Sequence, residues 1–469
     1  MGSVNRRGVV SISFVFALVL SASPVCADDP YLVEDINPGP ADSNISNAYV
    51  ADGLYFFRAY SPATGTEVWW TAGTRLDVSM RDVRTGTGSS NPALFQKFNS
   101  DIFFSASDGT TTGIFALGLT PPIKADFVVW LDGFLTVGSN LFMAGSEIGL
   151  LGGDRELWKI DQATLTTTRV KDINPGPLAS YPEELVAVGT RAFFTADDGT
   201  HGEGLWRSDG TGAGTVMVEN TITGLTPLYP EELTEAGGRL FCSASDAAHG
   251  AELWVTVGGV PSVIDICPNA CSAGAGGLAK VGSGVCYRSL GDGTTTTGAE
   301  LWCSDGTLPG TSKIKEIGPG TTPGYIALIT DFDGDLFYFI ADDAVHGSEL
   351  WRSNGTPGGT WMVKDINTEG DGMNNVNSEI VVVGDEIYFT ADDVTHGFEL
   401  WRTDGTEACT KMVYDLNPEG DDSYPGYLRV VGDRLIFTAY EPTHGSELWA
   451  LDIPLFRSGF ELCDPPWGP

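Results

Sequence analysis

Basic side chains and histidine are scarce in this chain. It carries 26 Lys and Arg against 62 Asp and Glu, five His, and a net charge of −36 over 469 residues. That balance excludes a nucleic-acid binder, which needs basic patches to meet phosphates. It also disfavours adsorption to an anionic membrane surface. After Leu20 no stretch approaches the ~20 apolar residues that a spanning helix requires. No segment shows the i, i+3, i+4 apolar pattern of a long helix either. The eight cysteines include no Cys-Cys pair and no zinc-type spacing, which argues against a structural zinc site. A Walker loop, an H-E-x-x-H motif and a G-x-S-x-G elbow in a strand-to-helix setting are all missing.

What is present begins with a leader-like segment. Arg6 and Arg7 precede an apolar run from Val9 to Leu20, and small residues follow up to Val25-Cys26-Ala27. This pattern predicts a signal peptide over 1–27 and an exported protein without a membrane span. Export makes disulfides plausible, first between Cys267 and Cys271, and also between Cys286 and Cys303, which fall on strands expected to be neighbours.

The rest is dominated by a repeat. An aromatic anchor recurs at Trp69, Phe115, Trp158, Trp206, Trp254, Trp302, Trp351, Trp401 and Trp449, at intervals of 43 to 50 residues. One copy reads ELVAVG (184–189), AFFTAD (192–197), GLWRS (204–208) and TVMVEN (215–220), with Gly- and Asp-rich turns between them. Four short β-type runs in ~48 residues match one blade of a β-propeller. The expected fold is therefore all-β: a single closed propeller over 28–452 with about nine blades, eight as the fallback. A tail over 453–469 follows. YLVEDINPG (31–39) reads as the missing fourth strand of the last copy, whose three strands end at Asp452; pairing them leaves no open edge.

The segments ELWKID, ELWVTV, ELWCSDGT, ELWRSNGT and ELWRTDGT are similar to those of the ELWxxDGT repeat proteins, a group of exported bacterial proteins. The resemblance covers nearly all of 28–452. It implies a propeller-like, extracytoplasmic protein, and it carries over no activity and no catalytic residue.

Within the repeat all five histidines occupy one position: His201, His249, His346, His396 and His444. Thr64-Gly65 and Thr297-Gly298 replace His-Gly in two copies, and Thr shares hydrogen bonding with His but little metal affinity. The histidines are thus read as structural, and so are Trp206, Trp254, Trp302, Trp351, Trp401 and Trp449, as packing between blades. The pairs Asp197/Asp198, Asp342/Asp343 and Asp392/Asp393 should gather on one face. Oxygen-rich loops suit Ca²⁺, so weak calcium binding is expected there, with no other cofactor.

Two functions compete. The first is an exported, non-catalytic binding module, a monomer taking an unknown protein or glycan, with a cationic partner favoured. The second is a carbohydrate-active hydrolase or lyase, which needs a pair of non-repeated carboxylates beside a central pocket.

Overall fold

The computed structural model describes residues 29–453 except 120–122, 149–153, 219–228, 258, 270, 294–297, 375 and 419. The expected signal peptide and almost all of the tail lie outside the described residues. The fold is a nine-bladed β-propeller. Nine separate sheets hold four antiparallel strands each, and eight of them follow the chain order from hub to rim. The ninth is mixed in sequence. Tyr31–Glu34 pairs with Gly445–Asp452, with Tyr31 opposite Ala450 and Leu32 opposite Trp449, outside the strands Arg434–Glu441 and Gly426–Val431.

Each blade packs its apolar face on the next, and nine separate cores result, one per interface. Numbered in chain order, the blades are 1 (46–81), 2 (93–125), 3 (127–171), 4 (183–217), 5 (231–264), 6 (276–315), 7 (327–362), 8 (380–414) and 9 (426–452 with 31–34). Blades 7 and 8 share Ile340, Leu350, Phe389 and Trp401. Trp206 stands between blades 3 and 4, Trp254 between 4 and 5, Trp302 between 5 and 6, and Trp351 between 6 and 7. Trp449 stands between blades 8 and 9. Phe115 takes the same place between blades 1 and 2. One core joins Tyr55 and Phe57 of blade 1 to Ile436 and Leu448 of blade 9, so the contacts return to their starting point. Because strands in the middle of a blade are covered on both faces, they carry consecutive apolar residues such as Phe193-Phe194 rather than strict alternation.

Turn chemistry explains the DGT of the repeat. Asp209 Oδ1 accepts from the N–H and the hydroxyl of Thr211 at 2.9 and 2.7 Å, and Gly210 sits at φ 89°. Asp305, Asn354 and Asp404 do the same with Thr307, Thr356 and Thr406. A side-chain acceptor and a residue free to adopt positive φ close the hairpin.

The fourth strand of blade 4 pairs through Val216–Met217, and Val218 N donates to Leu205 O at 2.7 Å; the last two residues of the expected 215–220 run lie outside the described residues.

Candidate functional site

The Glu of each ELW segment is a fully buried carboxylate that holds the loop carrying the chain to the next blade. Glu156 accepts from Ile173 N at 2.8 Å, Asn174 N at 3.3 Å and Ser180 Oγ at 2.8 Å. Glu67 takes Val83 N, Ser90 N and Ser90 Oγ. Glu252, Glu300, Glu349, Glu399 and Glu447 bind their own loops in the same way. Burial outweighs these donors and pushes Glu156, Glu252, Glu300, Glu349, Glu399 and Glu447 up to about 7. Blades 2 and 4 carry Gly113 and Gly204 instead, and neither is followed by a D-I-N-P-type loop. This clamp was not foreseen from the sequence, although the paired presence of Glu and loop within one chain was the available signal.

The histidines lie beside the acids the repeat suggested. His201 Nδ1 is 2.7 Å from Asp198 Oδ2, His346 Nδ1 is 2.8 Å from Asp343 Oδ2, and His396 Nδ1 is 2.8 Å from Asp393 Oδ2. His249 pairs with Asp246, and His444 with Glu441. The backbone N–H of each histidine donates to the same carboxylate. Ser61 and Thr64 reproduce the bond at 2.7 Å where histidine is missing. The other members of the pairs, Asp197, Asp342 and Asp392, accept from Gly199 N, Ala344 N and Val394 N. Each pair thus spends oxygens on its own turn. Among the described residues the acidic oxygens that converge on one point are those of Asp154, Glu156 and Asp172, within 4.8 Å of one another. Arg169 already pairs with Asp154 at 2.8 Å and with Asp172 at 3.6 Å, so a hard cation there would compete with a guanidinium.

The cysteines foreseen as pairs are joined. Cys267 is bonded to Cys271 and Cys286 to Cys303, and Cys409 is also disulfide-bonded. Cys242 is a buried free thiol, pushed up to about 12 by burial. Among the described residues no helix is long and apolar enough to cross a membrane.

One acidic cluster breaks the repeat. Blades 4 and 5 both open with Pro-Glu-Glu-Leu, at 182–185 and 230–233, and blade 4 alone places a carboxylate, Glu203, just before its third-strand core. Glu203 lies opposite Asp197 across the strand pair. Partial burial, then the charge of Glu183 with those of Glu184 and Glu231, push its carboxyl above the ordinary range against the pull of the Thr195 hydroxyl. Glu184 and Glu232 line a hub cavity of about 410 Å³. They also reach across to the next blade, accepting from Leu233 N and Leu278 N at 2.8 Å each. Glu203, Glu183 and Glu231 were not singled out from sequence; their departure from the repeat was the signal.

No family model matches the chain, and no curated protein matches it. Solved structures similar to it include puromycin hydrolase, at 13% identity, covering 89% of this chain and 60% of that one, with a TM-score of 0.39. Prolyl oligopeptidase B from Galerina marginata is 10% identical, over 85% of this chain and 55% of that one, at 0.43. The β-propeller domain of the Trilobed protease from Pyrococcus furiosus is 9% identical, over 81% and 100%, at 0.38. The chain therefore spans little more than half of the first two. The expectation of a non-catalytic binding module is not borne out by these neighbours, which are a hydrolase, an oligopeptidase and a protease. At these identities the likeness is one of fold, and the chemistry has to come from the residues of this chain.

Proposed function

We propose that the chain is a hydrolase-type propeller, carbohydrate-active, working at the carboxylate cluster of blades 4 and 5. The observation that carries the reading is Glu203, an exposed, non-repeated carboxylate held above the usual range among Glu183, Glu184 and Glu231. Glycoside hydrolysis requires one carboxyl that keeps its proton to protonate the leaving oxygen, and a second that is ionised to act on water or on the sugar. Glu203 is assigned the first role, and Glu183 or Glu231 the second. The hub cavity beside Glu184 and Glu232 gives the substrate a place to sit. Export through the 1–27 segment and kinship with the ELWxxDGT repeat proteins belong to the same reading, supported by the disulfides. The test is a panel of neutral and acidic polysaccharides and aryl glycosides with the full chain. Turnover should fall by ~10²-fold or more in Glu203→Gln, the range for loss of a general acid. A folded protein inert toward every glycoside ends the reading.

A further inference from the structure

The residue just before the innermost strand adopts the left-handed backbone conformation in eight blades. In four it is Asn44, Asn91, Asp126 or Gly274, at φ 48–60°, the residue types that tolerate it. In the other four it is Tyr181, Tyr229, Tyr325 or Tyr424, at φ 43–50°. A bulky residue is disfavoured there. Core packing does not explain the choice, because the four tyrosines are 58, 56, 65 and 53% exposed.

Two of the rings, Tyr181 and Tyr424, are faced by the side chain that precedes the ELW core of the previous blade. For Tyr181 this is Arg155, whose guanidinium lies 5.9 Å from the ring centroid and bonds Glu183 at 3.1 Å. The chain itself thus shows how a cation sits on this position, over a tyrosine and against the neighbouring carboxylate. In the next blade Tyr229 is again followed by Pro-Glu-Glu, and the residue in Arg155's sequence place is Glu203, so the repeat supplies no cation of its own there. Before Tyr424 the equivalent residue is Phe398, stacked on the ring at 6.0 Å. Tyr424 also lines a cavity of about 490 Å³, together with Asp42, Asp421 and Asp422. Tyr325 borders a cavity that contains Arg288, which disfavours a cation there.

The geometry points to a docking surface around the hub mouth for a basic, extended polypeptide, whose Arg or Lys side chains seat on Tyr229 and Tyr424 beside their carboxylates. A cation over an aromatic face gains by electrostatic attraction to the ring, and the net charge of −36 favours such a partner throughout its approach. The Tyr229 seat adjoins in sequence the carboxylates of the hydrolase reading but does not rest on that reading, since its test measures peptide binding and not turnover.

The test is fluorescence anisotropy of a labelled Arg-Gly repeat peptide at physiological ionic strength. The Tyr229→Asn, Tyr424→Asn double variant keeps the charge and suits the left-handed backbone. It should bind ~10-fold or more weakly, while the Tyr→Phe pair stays within ~2-fold, as ring-face attraction requires. The Asn variant should melt no lower than the parent. Unchanged affinity would assign the attraction to bulk charge and overturn the proposal. A lowered melting temperature would make the rings structural, and neutral oligosaccharide binding lost in place of peptide binding would make them a glycan platform; both overturn it.

Discussion

A buried Glu in each of seven blades ties loop to sheet, and its ionisation decides how firmly. Burial raises the folded-state pKa of Glu349 and Glu399 to about 7 from the ordinary 4.5. An acid raised in this way binds its proton more tightly when folded than when unfolded. Its contribution is full below the unfolded value and is lost as pH rises through about 7. The melting temperature should therefore fall as pH rises from about 4.5 to about 7. Glu349→Gln and Glu399→Gln should flatten that slope, whereas the exposed Glu407→Gln should leave it, as a pH series by calorimetry would show. Equal slopes in all three would place the pH dependence in general charge repulsion. Glu349→Ala removes the acceptor altogether and should cost ~1–3 kcal/mol by leaving loop N–H groups unpaired, measurable by denaturant unfolding.

At the scale of the element, the strand Tyr31–Glu34 does more than its four residues suggest. It completes blade 9 by pairing with Gly445–Asp452, and the loop after it fills the Glu447 clamp through Ile36 N and Asn37 N. Deleting residues 28–37 exposes the edge of Gly445–Asp452 and strands a buried carboxylate, two costs of different origin. The deletion should lower the melting temperature by ~5 °C or more, and trimming 454–469 should lower it far less. Equal melting of the two truncations would show that the ninth blade does not depend on this strand.

Across the whole molecule, one rhythm of interfaces implies one cooperative body. Limited proteolysis should release no stable halves, because every cut between blades leaves two bare apolar faces. The acidic face invites calcium, which remains a proposal for Asp197, Asp198, Asp342, Asp343, Asp392 and Asp393. Their oxygens already accept turn N–H groups, so millimolar calcium should raise the melting temperature by no more than about 3 °C, in keeping with weak extracellular sites. No shift at all would leave these carboxylates as turn caps.

The sequence by itself determined the propeller, because each blade is a local hairpin array. Its turns are written in Asp-Gly-Thr, its period is set by one aromatic per interface, and both signals lie within a few residues of what they control. It also determined the pairing of Cys267 with Cys271 and the side-by-side placement of each His with its acid, three residues away. The hub cluster was decided only by the tertiary structure. Glu183, Glu203 and Glu231 are separated by 20 and 28 positions in the chain. They come together because the first and third strands of one blade and the first strand of the next begin on the same face. The role of the ELW glutamate was hidden for a similar reason. Its partners include backbone N–H groups 24 residues away for Glu399 and 411 positions away for Glu447, and a backbone donor carries no signature in the side-chain code.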